Sequence, residues 1–113
     1  MITQQIDHSN VAKKFSDARR NFMLPHPQGV PYAVFAALFD ASQALVGVEL
    51  DALEETPREW IEELQEFLDT SEFQHLESGQ LLEKAKGFTE DELLTIRHLI
   101  CELADWFAEA ARD

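Results

Sequence analysis

The sequence predicts an all-α fold, a single-domain bundle of four to six helices packed around a long C-terminal helix. Apolar residues recur at helical spacing in several segments, and two of these segments begin with a capping sequence. Prolines and glycines separate several of the segments. The chain has 113 residues, of which 45% are hydrophobic, and this is enough for one hydrophobic core. We therefore expect residues 1–113 to form a single helical domain.

The C-terminal helix is predicted to run from Thr89 to about Arg112. Thr89 and Glu92 have the spacing of a capping box, in which each side chain accepts a hydrogen bond from the backbone N–H group of the other residue. Phe88 and Leu93 have the spacing of a hydrophobic staple, and no glycine or proline follows. One polar stripe runs along the helix: Asp91, His98, Glu102, Asp105 and Glu109. Nearly all other positions are apolar, so we expect neighbouring helices to cover two or three sides of this helix.

Two helices are predicted before this, one on each side of a proline-rich loop. Apolar residues at helical spacing predict the first helix from about Ser9 to Phe22. Residues 24–31 contain three prolines and one glycine and therefore form a loop. Pro31 suits the first turn of the second helix, which should end near Val46, before Gly47.

A third helix is predicted from a second capping sequence. Thr56 and Glu59 have the capping-box spacing with a proline between them, and the helix should continue to about Asp69. A short helical piece is expected after Asp69. A further short helix is predicted over Gln80–Lys86, where Gly87 should end it.

Two charged residues are predicted to form a buried ion pair. Arg97 falls inside the apolar arc of the C-terminal helix, and Asp40 is the one charge of the second helix. Buried charges are tolerated when they are paired. We therefore expect the side chains of Asp40 and Arg97 to meet.

The charge distribution carries the functional interpretation. The formal net charge is −13, from 22 acidic and 9 basic residues. Such a protein is repelled by nucleic acids and by anionic membranes, so neither is expected as a direct partner. Residues 49–77 hold 11 of the acids and one base, which is a charge of −10 in about a quarter of the chain. A protein with a basic surface is the natural complement.

The predicted partner-binding surface is an acidic face built mainly on the third helix: Glu54, Glu55, Glu59, Glu62, Glu63, Glu66, Asp69 and Glu72. Like charges one helical turn apart destabilise a helix, and no lysine is interleaved to offset them. The loss of helix stability suggests that the acids have a function, namely docking on a basic protein or mimicry of a nucleic acid. A solvated face that only maintains solubility is the alternative. The interpretation would fail if bases of the same chain neutralised the acids: Lys13, Lys14, Arg19 and Arg20.

Catalytic, cofactor and metal sites are not indicated. Phosphate-binding loops and nucleophile motifs are absent from the sequence. Glu72 with His75, and His98 with Glu102, have metal-ligand spacing, but single pairs are weak motifs. Cys101 is expected to be a small core residue. No catalytic residue, metal or cofactor is therefore assigned.

The sequence as a whole favours a small, acidic, non-enzymatic protein-binding module. The specific form we expect is an inhibitor or antagonist that covers the basic groove of a nucleic-acid-handling protein. A structural or adaptor subunit that assembles through apolar helix surface is the first alternative, and a small metal-binding helical enzyme is the second. Assembly into a homodimer is also compatible with the sequence. The single cysteine, and the absence of a signal-like N-terminus or a membrane-length apolar run, lead us to expect a cytoplasmic protein.

Overall fold

The computed structural model describes residues 8–23, 29–46, 48–69 and 80–112, and these residues form five α-helices and one short 3₁₀ turn, with no β-strand among them. In chain order the elements are α1 (His8–Met23), α2 (Val30–Leu45), the 3₁₀ turn (Leu50–Ala52), α3 (Glu55–Leu68), α4 (Gln80–Lys86) and α5 (Glu90–Arg112). The all-α prediction is confirmed. None of the described helices is both long and apolar enough to cross a lipid bilayer.

The core lies where α1 packs against two neighbours. The most extensive helix contacts are those of α1 with α5 and with α2, while α3 packs on α5 and α4 packs on α2. Phe15 of α1 stacks on Phe107 of α5 with a centroid distance of 5.9 Å, and both rings are fully buried. Val11, Phe15 and Ala18 recur at helical spacing, which puts all three on the buried side of α1.

The predicted capping box of α5 is confirmed. The backbone N–H of Thr89 donates to Glu92 Oε1 over 2.9 Å, and the backbone N–H of Glu92 donates to Thr89 Oγ1 over 3.1 Å. Two backbone groups that have no partner within the helix are thereby satisfied. Three acids in the first turn also suit the positive end of the helix dipole.

The predicted capping box of α3 is wrong. The helix begins one residue before Thr56, at Glu55, and the N-cap residue is Glu54, whose side chain makes no capping hydrogen bond. Pro57 therefore occupies the third helical position, where its missing N–H costs nothing because the first four N–H groups have no helical acceptor. Pro57 is buried in this position.

The other helix boundaries lie within about a residue of their predicted positions. α1 is one residue longer at each end, α2 begins one residue before Pro31, and α4 coincides with the predicted Gln80–Lys86 helix. Gly29 precedes α2 with a φ of 104°, a value that favours glycine because other side chains are strained there. The predicted stop at Gly47, the helical piece expected within residues 70–79, and the loop residues 24–28 lie outside the described residues.

The prediction that Asp40 and Arg97 form a buried ion pair is wrong, because neither side chain is buried. Arg97 is exposed, and no charged side chain is buried among the described residues. Asp40 is half-buried and accepts a hydrogen bond from Asn21 Nδ2 on α1. The polar partner of Asp40 thus comes from the helix on which α2 packs, and Arg97 needs no buried partner because it faces solvent.

The apolar arc of α5 is covered over part of its width. Its buried residues are Ile96, Leu99, Ile100, Leu103, Ala104 and Phe107. Leu94, by contrast, is 61% exposed. Cys101 is half-buried, although the sequence predicted it to be a core residue. α1 and α3 are the helices packed most extensively on α5, and the side that carries Leu94 and Arg97 faces solvent.

Candidate protein-binding surface

The acids of α3 lie on one side of the helix. Glu55, Glu59, Glu62 and Glu66 recur at steps of four, three and four residues, so they form a line of about 16 Å along the helix axis. Glu63 lies beside this line, one turn after Glu59. The opposite side of α3 buries three residues against the core: Pro57, Ile61 and Leu64. Burial of that apolar side holds the carboxylates outward, because the two sides belong to one rigid helix.

Every described member of the predicted acidic face is exposed: Glu54, Glu55, Glu59, Glu62, Glu63, Glu66 and Asp69. Glu72, the eighth member, lies outside the described residues. We use the name acidic face below for the seven described acids. They run from the N-cap residue of α3 to the residue after its last turn, so the face follows the whole length of the helix.

The bases of α1 do not neutralise the acidic face. Arg19 forms an ion pair with Asp105 of α5, with a distance of 3.1 Å between Nη1 and Oδ1. Lys86 pairs with Glu83 one turn away. Within residues 8–23, 29–46, 48–69 and 80–112, no ion pair involves the α3 glutamates or Glu54. The six glutamates of the acidic face therefore keep their charge available to an external cation.

Lys84 contacts the backbone at the C-terminal end of α3. Lys84 Nζ donates hydrogen bonds to the carbonyl oxygens of Glu66 and Asp69 at the end of the helix. Carbonyl groups at a helix C-terminus lack helical donors and carry the negative end of the helix dipole. Lys84 thus stabilises the end of α3 and anchors α4 beside it.

Two open clefts extend the acidic face at its ends. The cleft at the start of α3 has a volume of about 340 Å³ and is lined by Glu54, Trp106, Glu109 and Ala110. The cleft at the other end has a volume of about 530 Å³ and is lined by Glu66, Phe67, Glu83, Lys84, Gly87, Phe88 and Glu92. In the second cleft the rings of Phe67 and Phe88 meet edge to face with a centroid distance of 5.7 Å. The sequence did not indicate Glu83, Glu92 and Glu109 as neighbours of the acidic face, because they join it through helix packing.

A second exposed surface is apolar and lies on α2. Phe39 is 47% exposed and Val46, the C-cap residue, is 74% exposed. Phe35, one turn before Phe39, stacks on it with a centroid distance of 6.3 Å. This surface and the acidic face belong to different helices, and α2 and α3 are not among the extensively packed pairs.

Metal-ligating side chains do not cluster in the part of the chain that the structure describes. No group of three or more His, Cys, Asp or Glu side chains there has a geometry that holds a metal ion. His98 is exposed and Glu102 is half-buried on the polar stripe of α5, while Glu72 and His75 lie outside the described residues. The described residues therefore offer a charged surface and an apolar surface.

The chain matches no protein-family model, and no curated protein or solved structure is significantly similar to it.

Proposed function

We propose that this protein is a small acidic binding module that docks its acidic face on the basic surface of another protein. The observation that carries the proposal is a line of exposed glutamates on α3 with no basic partner in the described part of the chain. A helix selected for stability alone would interleave lysines with these glutamates. Three like-charge pairs one turn apart are present instead: Glu55 with Glu59, Glu59 with Glu63, and Glu62 with Glu66.

The proposed partner is a protein that binds or processes nucleic acid. The module would inhibit this partner by covering the partner's basic groove. Carboxylates on successive turns of α3 are about 5–6 Å apart, which resembles the spacing of phosphates along a strand. A groove that binds phosphates through Lys and Arg side chains meets a similar row of negative charges on α3. Association of this kind is fast and weakens with salt.

The proposal is tested by affinity capture from a cell lysate at 50 and 500 mM NaCl, with mass-spectrometric identification of the bound proteins. The double variant Glu62→Gln/Glu66→Gln removes two charges from the acidic face. The control, Asp91→Asn/Glu102→Gln, removes two charges from the polar stripe of α5. Both variants change the net charge from −13 to −11 (−13 + 2), so they remove the same charge from different surfaces.

We expect a basic partner to bind the wild type and the control at low salt, and to bind the acidic-face variant at least tenfold more weakly. The affinity of the purified pair should fall steeply at 500 mM NaCl, and a short DNA or RNA duplex should displace the module from the partner. If the two variants weakened partner binding equally, binding would depend on the net charge of the protein and not on the acidic face. Binding that no oligonucleotide displaces would contradict the inhibitor form of the proposal.

A second candidate function, a structural or adaptor subunit, is favoured by the apolar surface of α2. Exposed Phe39 and Val46 suit assembly with another apolar surface, in which the acids only maintain solubility. Salt separates the two functions, because apolar assembly does not weaken when charges are screened. A captured partner that is retained at 500 mM NaCl and by the Glu62→Gln/Glu66→Gln variant would favour the adaptor.

A further inference from the structure

A cleft between α3 and α5 combines an aromatic ring with two carboxylates. It has a volume of about 340 Å³ and is lined by Glu54, Trp106, Glu109 and Ala110. Glu54 is the N-cap residue of α3, and the other three residues belong to the last two turns of α5, so the cleft forms where the start of one helix meets the end of the other. We call it the α3–α5 cleft. Its volume lies within the range of sites that hold small ligands.

The two carboxylates of the α3–α5 cleft have no basic partner in the described part of the chain. All nine Lys and Arg residues lie within the described ranges, and none of them forms an ion pair with Glu54 or Glu109. This includes Arg112, which lies one turn after Glu109 on α5. Both glutamates are exposed, so a cation from outside the chain can reach them.

Glu54 occupies a position that a shorter residue would serve better. At the N-cap of a helix, Asp, Asn, Ser or Thr normally accepts a hydrogen bond from a backbone N–H group of the first turn. The side chain of Glu54 makes no such bond. Helix α3 thus begins without a side-chain cap, and Glu54 lines the cleft instead.

The ring of Trp106 is held in place by two other rings. Phe107 meets it edge to face with a centroid distance of 5.0 Å, and the centroid of the His8 ring lies 6.1 Å away. Trp106 is half-buried, and part of its surface lines the cleft. Aromatic rings attract cations, and tryptophan does so most strongly. A ring that is already fixed by packing loses little conformational freedom when a ligand binds.

We propose that the α3–α5 cleft holds an arginine side chain of the basic partner. This inference rests on the proposed function and specifies one anchor within it. A guanidinium group is planar, so it can stack on an aromatic ring while it donates hydrogen bonds to carboxylates. A lysine ammonium group is compact and more strongly hydrated, so it gains less from the ring. The combination of Trp106 with Glu54 and Glu109 therefore favours arginine over lysine.

The position of the cleft suits an anchor at the end of the acidic face. Glu54 belongs to both, so a basic segment that docks along α3 reaches the cleft without leaving the acidic face. The distance along the helix axis from Glu54 to Glu66 is about 18 Å, the length of about five residues of extended peptide. A basic peptide of ten residues is therefore long enough to contact the acidic face and the cleft together.

The test measures the binding of two basic peptides, deca-arginine and deca-lysine, to the full chain in 50 mM NaCl. Fluorescence anisotropy of the labelled peptides gives the dissociation constants. The variant Glu54→Gln/Glu109→Gln removes both carboxylates of the cleft. The control Asp91→Asn/Glu102→Gln removes the same charge from the polar stripe of α5. Circular dichroism confirms that each variant is folded.

A second measurement locates the bound peptide. Trp60→Phe leaves Trp106 as the one tryptophan of the chain, so the emission of this variant reports on the cleft. We expect deca-arginine to change this emission saturably, with the dissociation constant that anisotropy gives. The anisotropy measurement does not need the Trp60→Phe substitution, so it stands if that variant is unstable.

Deca-arginine should bind at least threefold more tightly than deca-lysine. The cleft variant Glu54→Gln/Glu109→Gln should weaken the binding of deca-arginine at least fivefold, against less than twofold for the control. The proposal is overturned if the emission of Trp106 does not change when deca-arginine is bound. It is also overturned if the cleft variant weakens binding no more than the control does, or if the two peptides bind equally well.

Failure of the cleft and failure of the acidic face give different results. Glu62→Gln/Glu66→Gln should also weaken the binding of deca-arginine, but it should leave the preference for arginine over lysine unchanged, because these glutamates lie outside the α3–α5 cleft. If this variant weakens binding and the cleft variant does not, the acidic face stands and the cleft proposal falls. If the cleft variant alone weakens binding, the cleft is a cation site in its own right and the acidic face loses its support.

Discussion

The side-chain amide of Asn21 on α1 donates a hydrogen bond to the carboxylate of Asp40 on α2. Both residues are half-buried, at the contact between two extensively packed helices. The bond gives Asp40 a polar partner without a second charge at this position. It also joins the N-terminal helix pair through a specific contact in addition to apolar packing.

Breaking this bond should destabilise the protein. We expect Asn21→Ala and Asp40→Ala each to lower the free energy of unfolding, and their double-mutant cycle to give a coupling of about 1 kcal/mol, since a hydrogen bond to a charged group at a partly exposed site is modestly stabilising. Urea unfolding followed by circular dichroism at 222 nm measures all three variants.

Arg97 provides the comparison for that cycle. Arg97→Ala should change stability by less than about 0.5 kcal/mol and should show no coupling to Asp40→Ala, because Arg97 is exposed. A coupling between Asp40 and Arg97 as large as that between Asp40 and Asn21 would restore the ion pair predicted from the sequence.

The capping box of α5 provides a second prediction. Thr89→Ala removes the acceptor for the backbone N–H of Glu92 and should destabilise the protein by about 1 kcal/mol. Thr56→Ala is the matched control, because Thr56 is an exposed residue inside α3 and caps nothing. Alanine has the higher helix propensity, so Thr56→Ala should be neutral or stabilising by a few tenths of a kcal/mol. Thermal and urea unfolding compare the pair, and an equal loss for both would contradict the observed start of α3.

The two lysines of α4, Lys84 and Lys86, should contribute unequally to the free energy of unfolding. Lys84→Met removes the donor to two carbonyl oxygens at the end of α3 and should cost about 1 kcal/mol, since it leaves these groups to water and removes a cation from the negative end of the dipole. Lys86→Met breaks an exposed ion pair with Glu83 and should cost less than about 0.5 kcal/mol. Urea unfolding measures both. A reversed order would mean that Lys84 does not stabilise the end of α3.

Stability and partner binding should respond in opposite directions to Glu63→Lys. This substitution removes a repulsion with Glu59 and creates an attractive pair in the favoured orientation, with the acid four residues before the base, for a gain of about 0.5 kcal/mol at low salt. The gain should shrink in 1 M NaCl, as thermal unfolding at two salt concentrations will show. The affinity for the basic partner should fall, because the charge at the acidic face is reversed. A variant that is more stable and also binds as well as the wild type would remove the functional reason for the like-charge pairs of α3.

The features that depend on residues a few positions apart could be predicted from the sequence. The capping box at Thr89 and Glu92 depends on two side chains three residues apart, and the bounds of α4 depend on its own residues and Gly87. The outward direction of the α3 glutamates also follows from local periodicity, because Ile61 and Leu64 must face the core. These interactions form within one or two helical turns and need no knowledge of the neighbouring helices.

The features that depend on helix packing required the tertiary structure. The apolar arc of α5 is wider than the surface that its neighbours cover, so the sequence could not show that Leu94 and Arg97 would be exposed or that Cys101 would be half-buried. In the same way, the bond between Asn21 and Asp40 depends on how α1 crosses α2. Helical periodicity determined which residues share a side of each helix. The positions of the neighbouring helices decided which of those sides are covered, because covering a side requires contacts between segments that are distant in the chain.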